Sequence, residues 1–363
     1  MILKYGMNPN QKHAEISDDE SLRILNGNPS YINFLDALNA WQLVKELKHA
    51  TSQPAAASFK HVTPSGVSIG TGIAPDELRS YNKQSGVTSN LAGAYLKARG
   101  SDRLASFGDF IALSDKVDIE TAKIIRSEVS DGVIAPGYDS GALQLLKSKK
   151  QGNYPVFEIN PDYIPNAIET RQVYGFTLKQ ERNNLSIDSS LLTNIRTHKK
   201  DISDSALTSL IVGLITLKYT QSNSIAVIYN GHAIGIGSGQ QSRILCSELA
   251  LIKANKWYQK TKLNYSEIIY PVDKKLSKTD KDMLHESIRK EQYQDHIELA
   301  EIKDLCLVSD GFFPQLDNIQ LAHEYGVQYI AAPMGSIKDQ EIIDLCNACG
   351  ITFVDIGARL FHH

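Results

Sequence analysis

A chain of 363 residues with 42% hydrophobic and 22% charged side chains can bury a substantial core and is large for one domain and small for two. A formal net charge of −3 with no long block of Lys and Arg argues against a nucleic-acid partner recognised by electrostatics. No apolar run approaches the ~20 residues that span a bilayer, and Met1-Ile2-Leu3-Lys4-Tyr5 leads into polar sequence without a signal-peptide pattern, so the expected compartment is the cytoplasm with no membrane partner.

Taken in chain order, Asn33 and Asp36 read as a helix N-cap and its acidic partner, with Leu35, Leu38, Trp41, Val44 and Leu47 recurring at helical spacing. Residues 55–59 read as a buried strand, broken by a turn at Thr63-Pro64-Ser65-Gly66. Ser106-Phe107-Gly108-Asp109-Phe110 stands ahead of an amphipathic helix and of Val133-Ile134-Ala135-Pro136-Gly137. Residues 225–229 and 233–236 flank Asn230-Gly231, a type I′ hairpin signal. Residues 257–300 are charged and weakly patterned, a surface helical excursion or a long loop. Ser309-Asp310-Gly311-Phe312-Phe313, a helix, and residues 329–335 then repeat the earlier order. Strand–helix–strand units imply parallel pairing with right-handed crossovers. The echo reads as two related α/β halves, 1–199 and 200–363, although Ala-Pro loops also recur after strands for no deeper reason.

Several groups could carry chemistry. Lys60-His61 follows a buried strand and places a fixed cation beside a group that titrates near neutral pH; a solvated Lys and a hydrogen-bonded His explain the pair equally well. The run from Gly235 to Arg243 leaves a strand and enters a helix, which suits an anion or a carboxamide or simply a structural turn. Tyr219-Thr220-Gln221-Ser222-Asn223-Ser224 is a dense row of hydroxyls and amides that either caps backbone or faces a ligand, and Asp310 could join it around a cation. The cysteines are Cys246, Cys306, Cys346 and Cys349, too few and too clustered for a disulfide framework. A zinc-deaminase signature needs His-x-Glu plus Pro-Cys-x-x-Cys; His296-Ile297-Glu298 supplies the first part, but no Pro precedes Cys346. The terminal His362-His363 reads either as a tag remnant or as part of a native Arg-Leu-Phe-His-His ending.

The order of these motifs resembles the AICAR transformylase module of the bifunctional purine-biosynthesis enzyme. Lys4 through Pro9, Ala56 through His61, Ser106 through Phe110, Ser130 through Gly137, Lys218 through Ser224, Gly235 through Ile244, Asp310 through Pro314 and the last five residues all carry the likeness. The resemblance implies a pair of cytidine-deaminase-like three-layer α/β units without the zinc site, and a homodimer with shared active sites. It also implies formyl transfer from 10-formyltetrahydrofolate to the 5-amino group of AICAR, with no IMP cyclohydrolase activity in this chain. By resemblance His61 is the base, Lys60 stabilises the transition state, and Asn223 and Arg243 orient the carboxamide and formyl groups. Lys4, Tyr5, Gly108, Asp131, Phe312 and Arg359 complete the nucleotide pocket; Ile244, Asp317, Ser336 and Ile337 meet the folate. Thr220, Ser222, Ser224 and Asp310 match a structural potassium site. The chain departs from the pattern at Lys4, where Arg is usual, and at Leu104, Leu245, Ile252 and Gln315-Leu316. Lys lacks the guanidinium fork, so phosphate grip at residue 4 is expected to be weaker.

Overall fold

The computed structural model of the chain describes residues 1–17, 20–81, 86–263, 276–294 and 296–363. The part of the charged stretch at 264–275 and residue 295 lie outside the described residues.

After β1 (Leu22–Asn26), the chain runs α1 (Tyr31–Thr51), β2 (Ala55–Lys60), β3 (Thr63–Ile69), α2 (Pro75–Ser80), α3 (Asn90–Gly100), β4 (Asp109–Leu113), α4 (Ile119–Ser127), β5 (Ser130–Ala135), α5 (Ser140–Lys147) and β6 (Val156–Ile159). A separate hairpin of β7 (Ile168–Val173) and β8 (Phe176–Glu181) follows. Then come α6 (Asp204–Lys218), β9 (Ile225–Tyr229), β10 (His232–Gly237), α7 (Arg243–Lys262), α8 (Lys278–Tyr293), β11 (Cys306–Ser309), α9 (Asp317–Glu324), β12 (Tyr329–Ala332), α10 (Asp339–Cys349) and β13 (Thr352–Asp355).

All strands except β7 and β8 form one 11-stranded mixed sheet in the order β1-β6-β5-β4-β2-β3-β10-β9-β11-β12-β13. Outward from the central β3–β10 pair, each side repeats one pattern. β2 and β9 pair antiparallel with β3 and β10, β4 and β11 join antiparallel, and the next two strands on each side are parallel. The centre is an antiparallel ladder of two residue pairs, His232↔Ser68 and Ala233↔Val67. Helices cover both faces. On β2, Ala55, Ala57 and Phe59 join the core cluster under α1 and α6, while Ala56 points to the cluster under α3, α4 and α5. On β9 the same alternation sends Ala226 and Ile228 to the first face, and Ile225 and Val227 to the face of α7, α9 and α10. This is period-two burial of a sheet covered on both sides.

Three local readings need correction. Ser30, not Asn33, caps α1; its hydroxyl accepts from the Asn33 N–H, and the Asn33 side chain accepts from the Ser30 N–H. Asp36 lies six residues into the helix axis of the sequence and is buried. Residues 63–66 are not a turn but the first half of β3, and the chain reverses one step earlier, at His61-Val62. Gly66 is required there by contact, because a Cβ would sit 1.9 Å from the Ala98 carbonyl oxygen of α3. Finally, the two motifs of the sequence echo sit at different ends of their strands, since Asp109 opens β4 whereas Asp310 follows the end of β11, although the strand order around them repeats. The Asn230-Gly231 hairpin stands as read, with φ of 48° and 67°.

Gly66 therefore discriminates between a turn and a packed strand. Gly66→Ala should lower unfolding free energy by about 1–3 kcal/mol, the range of overpacking a close contact. Denaturant titration checks this, and an unchanged midpoint would show that β3 does not press on α3.

Candidate active site

Because β3 and β10 pair antiparallel, the two halves run in opposite senses. One end of the sheet thus collects the carboxyl end of β2 and the amino ends of β4 and β5, together with the amino end of β9 and the carboxyl ends of β10 to β13. The expected site residues gather at this end in two sets.

The first set is built around the β2–β3 turn. Lys60 pairs with Thr63, leaving His61 and Val62 as a two-residue loop with φ of 57° and 59°. Two-residue hairpins of this hand favour Asn-Gly, and a β-branched residue at positive φ is an outlier. Holding such a residue there costs about 1–3 kcal/mol. The Val62 N–H donates to Asp36 Oδ1 at 2.6 Å. Burial pushes the Asp36 carboxyl up, while the Val62 N–H and nearby His61 pull it down. Lys60 Nζ donates to the Phe107 carbonyl at 2.8 Å. That carbonyl belongs to a loop fixed from below: Arg99 Nη1 donates to Ser106 O and to Asp109 Oδ1, both at 2.7 Å, and Nη2 reaches Val129 O at 3.1 Å. Ser58 Oγ donates to Asp109 Oδ2 at 2.6 Å, with Ser65 and Ser106 hydroxyls alongside. Gly108, at φ 77°, lies against Asp131, whose carboxylate is 4.0 Å from the position a Cβ would take. Lys150 pairs with Asp131 at 2.8 Å.

The second set centres on a buried ion pair between Arg243 and Asp310. Arg243 Nη2 donates to Asn223 Oδ1 at 2.8 Å, and Asn223 Nδ2 donates to the carbonyls of Gln240 and Gln241 at 2.8 and 3.2 Å. Asn223 thus ties the glycine-rich loop to the guanidinium. Ser222 Oγ donates to Asp310 Oδ2 at 2.6 Å, and the Ser224 N–H reaches the same oxygen at 3.0 Å. The chain terminus closes over this group: the Leu360 N–H donates to Asp310 O, and the Ser222 N–H donates to His362 O. The Arg359 guanidinium lies 4.7 Å from the Phe361 ring centre, and that ring approaches Gly311. Phe312 is exposed and borders Gly335.

The residues expected at the folate surround this second set. Ile244 is the second residue of α7, and Asp317 opens α9, which packs on α7 through a Ser247–Asn318 hydrogen bond. Ser336 and the fully exposed Ile337 follow Gly335, on a loop whose N–H groups are held by Asp339. Of the expected cation ligands, Ser222, Ser224 and Asp310 meet, but Thr220 Oγ1 donates back to Thr216 O at 2.6 Å. The Arg243 guanidinium already neutralises Asp310. Ser224 Oγ is buried and, among the described residues, has no hydrogen-bond partner. Lys4 and Tyr5 lie on an N-terminal segment where the Leu3 N–H donates to Ala14 O and Leu3 packs in the core under α1. Among the described residues no cluster of three or more His, Cys, Asp or Glu could hold a metal, and burial pushes the Cys346 thiol up to about 12.

Sequence reasoning missed Asp36, the Phe107 carbonyl, Arg99 and Lys150. For Asp36 a signal existed: residues 36, 40, 43 and 47 fall on one buried stripe of α1, and a carboxylate on such a stripe needs a partner. Asp310→Ala should destabilise the fold by about 3–5 kcal/mol by stranding a buried guanidinium. Phe312→Ala, at an exposed position, should stay within about 0.5 kcal/mol. Urea unfolding compares the two, and equal small effects would remove the ion pair from its central place.

Comparison with known proteins follows the same outline. A family model described as the AICARFT/IMPCHase bienzyme matches residues 1–253. The bifunctional purine biosynthesis protein PurH of Clostridium botulinum strain 657 is 31% identical over 370 residues, which takes in 100% of this chain and 59% of that protein. PurH of Aquifex aeolicus is 28% identical, across 99% of this chain and 59% of its own length, and PurH of Prochlorococcus marinus strain MIT 9312 is 28% identical, across 99% and 60%. The chain therefore spans about three-fifths of the length of these relatives. A match across most of the chain and both residue sets places it in a family: the chain belongs to the AICARFT/IMPCHase bienzyme family.

Proposed function

We propose that the chain transfers a formyl group from 10-formyltetrahydrofolate to the 5-amino group of AICAR, giving FAICAR and tetrahydrofolate, within purine biosynthesis. The observation that carries this reading is the Lys60-His61 turn, a base and a cation presented on a strained hairpin at the sheet end that also carries Asn223, Arg243 and Phe312.

The acceptor amine is a weak nucleophile because its lone pair is delocalised into the imidazole and the carboxamide. A C–N bond forms between this amine and the formyl carbon, the carbonyl becomes an oxyanion, and the bond to folate N10 breaks. One proton leaves the amine and one reaches N10. His61 accepts the first proton, acting through the substrate carboxamide. Lys60 stabilises the oxyanion and assists the leaving nitrogen. Arg243, held by Asp310, and Asn223 orient the carboxamide and the formyl group; Phe312 flanks the imidazole. Arg359, Lys4 and Tyr5 hold phosphate and ribose, with Gly108 and Asp131 beside them, and Ile244, Asp317, Ser336 and Ile337 receive the folate. Thr220, Ser222, Ser224 and Asp310 are the candidate ligands of a structural potassium ion, and the Thr220 hydroxyl, which donates to Thr216 O, keeps its lone pairs for a cation.

The repeated strand order on either side of β3–β10 supports reading the halves, divided near residue 200, as duplicated cytidine-deaminase-like units. Lys60 on β2 and Asn223 before β9 are three strand spacings apart, roughly 14 Å, more than one imidazole carboxamide spans. That separation supports a homodimer in which each site takes Lys60 and His61 from one subunit and Asn223, Arg243, Phe312 and Arg359 from the other.

Mixing the chain with AICAR and 10-formyltetrahydrofolate should release tetrahydrofolate, and formyl phosphate should not replace the folate. His61→Ala and Lys60→Ala should each lower turnover by about 10²-fold or more, the scale of general acid–base catalysis, with far smaller changes in AICAR binding. Near wild-type turnover in either would remove that residue's role. Co-expressed His61→Ala and Asn223→Ala chains should recover roughly a quarter of wild-type activity, since about half of randomly mixed twofold dimers carry one intact site. Verified heterodimers no more active than the parents would place each site within one chain.

A further inference from the structure

We infer that Asp36 is a positioning residue for Lys60 and His61, its carboxylate holding the two-residue turn that carries them in a backbone conformation that neither His61 nor Val62 favours. The inference rests on the assignment of Lys60 and His61 to formyl transfer.

The chain contains its own control. Each half has a helix, α1 or α6, followed by a two-residue hairpin, His61-Val62 or Asn230-Gly231. In each, both turn residues have positive φ. In each, the sixth residue of the preceding helix accepts the N–H of the second turn residue: Asp36 from Val62 at 2.6 Å, and Ser209 from Gly231 at 3.1 Å. The support is the same; its strength and its load differ. Away from the site, a neutral hydroxyl suffices because Asn and Gly adopt the turn readily. At the site, the turn must carry a His at its first position and has Val at its second. There the acceptor is a buried carboxylate making a shorter, charge-assisted hydrogen bond. Lys60, the residue before the turn, points its ammonium to the Phe107 carbonyl, so a turn that relaxes would carry both side chains away from the Gly108–Asp131 side of the pocket.

The experiment converts one turn into the other. Asp36→Ser should lower kcat for formyl transfer about tenfold or more with little change in KM, the signature of an interaction needed in the transition state, and should speed hydrogen exchange of the Val62 amide. Asp36→Ser combined with Val62→Gly reproduces the support found at Asn230-Gly231 and should recover most of the lost turnover. Asp36→Asn, which keeps the side-chain volume, serves if the serine variant does not fold. Asp36→Ser turnover within about twofold of wild type, too little to count as transition-state loss, overturns the inference. So does a double variant as slow as the single one, because backbone strain is then not what Asp36 opposes. A parallel His61→Ala separates the two levels: if it stays active, the functional assignment fails; if it is inactive while Asp36→Ser is not, only the role of Asp36 fails.

Discussion

The short antiparallel ladder between β3 and β10 is the constraint on which the arrangement depends. Two pairs of residues, His232↔Ser68 and Ala233↔Val67, join a six-stranded run and a five-stranded run into one sheet. Because the join is antiparallel, it reverses the second run relative to the first. Equivalent positions of the two halves therefore lie at opposite ends of the sheet, and non-equivalent ones share an end. The turn that follows β2 and the loop that follows β11 face the same way for this reason alone. A parallel join would have placed Lys60 and Asp310 at opposite ends of the sheet.

Reversal also frees each half to specialise. The amino ends of β4 and β5 supply Gly108 and Asp131, and the carboxyl ends of β11 and β12 supply Asp310, Phe312 and Ser336. The stabilising chemistry differs accordingly. Beneath the first set lies a buried network in which Arg99 satisfies Asp109, Glu128 and two carbonyls. Beneath the second a single pair, Arg243 with Asp310, organises Ser222, Ser224, Asn223 and the chain terminus. Buried charges of this kind are tolerated only when fully paired. Their partners here are backbone carbonyls and N–H groups of the loops that carry the expected substrate-binding residues, so satisfying the charges and shaping the pocket are one act.

Much of this was legible beforehand. Helical and strand spacing located α1, β2 and the Asn230-Gly231 hairpin, and the succession of motifs located the family. The misreadings share a cause. Residues 63–66 have turn composition yet form a strand, because Gly66 answers to a helix backbone across the sheet. Asn33 and Asp36 have cap spacing, yet Ser30 is nearer the true end, and Asp36 turns inward to a backbone N–H on another element. In each case a local rule was overruled by a contact that is distant in sequence.

The sequence by itself located α1, β2 and the Asn230-Gly231 hairpin, since periodicity and turn chemistry act over a few residues. It also named Lys60, His61, Asn223 and Arg243, since the family order of motifs is a property of the chain read linearly. Only the tertiary structure decided that these residues share one end of a single sheet, which follows from an antiparallel pairing between strands more than 160 positions apart. Only the tertiary structure showed that a carboxylate in α1 holds the turn bearing Lys60 and His61. Hydrogen bonds between elements obey packing and strand direction, and neither leaves a period in the sequence.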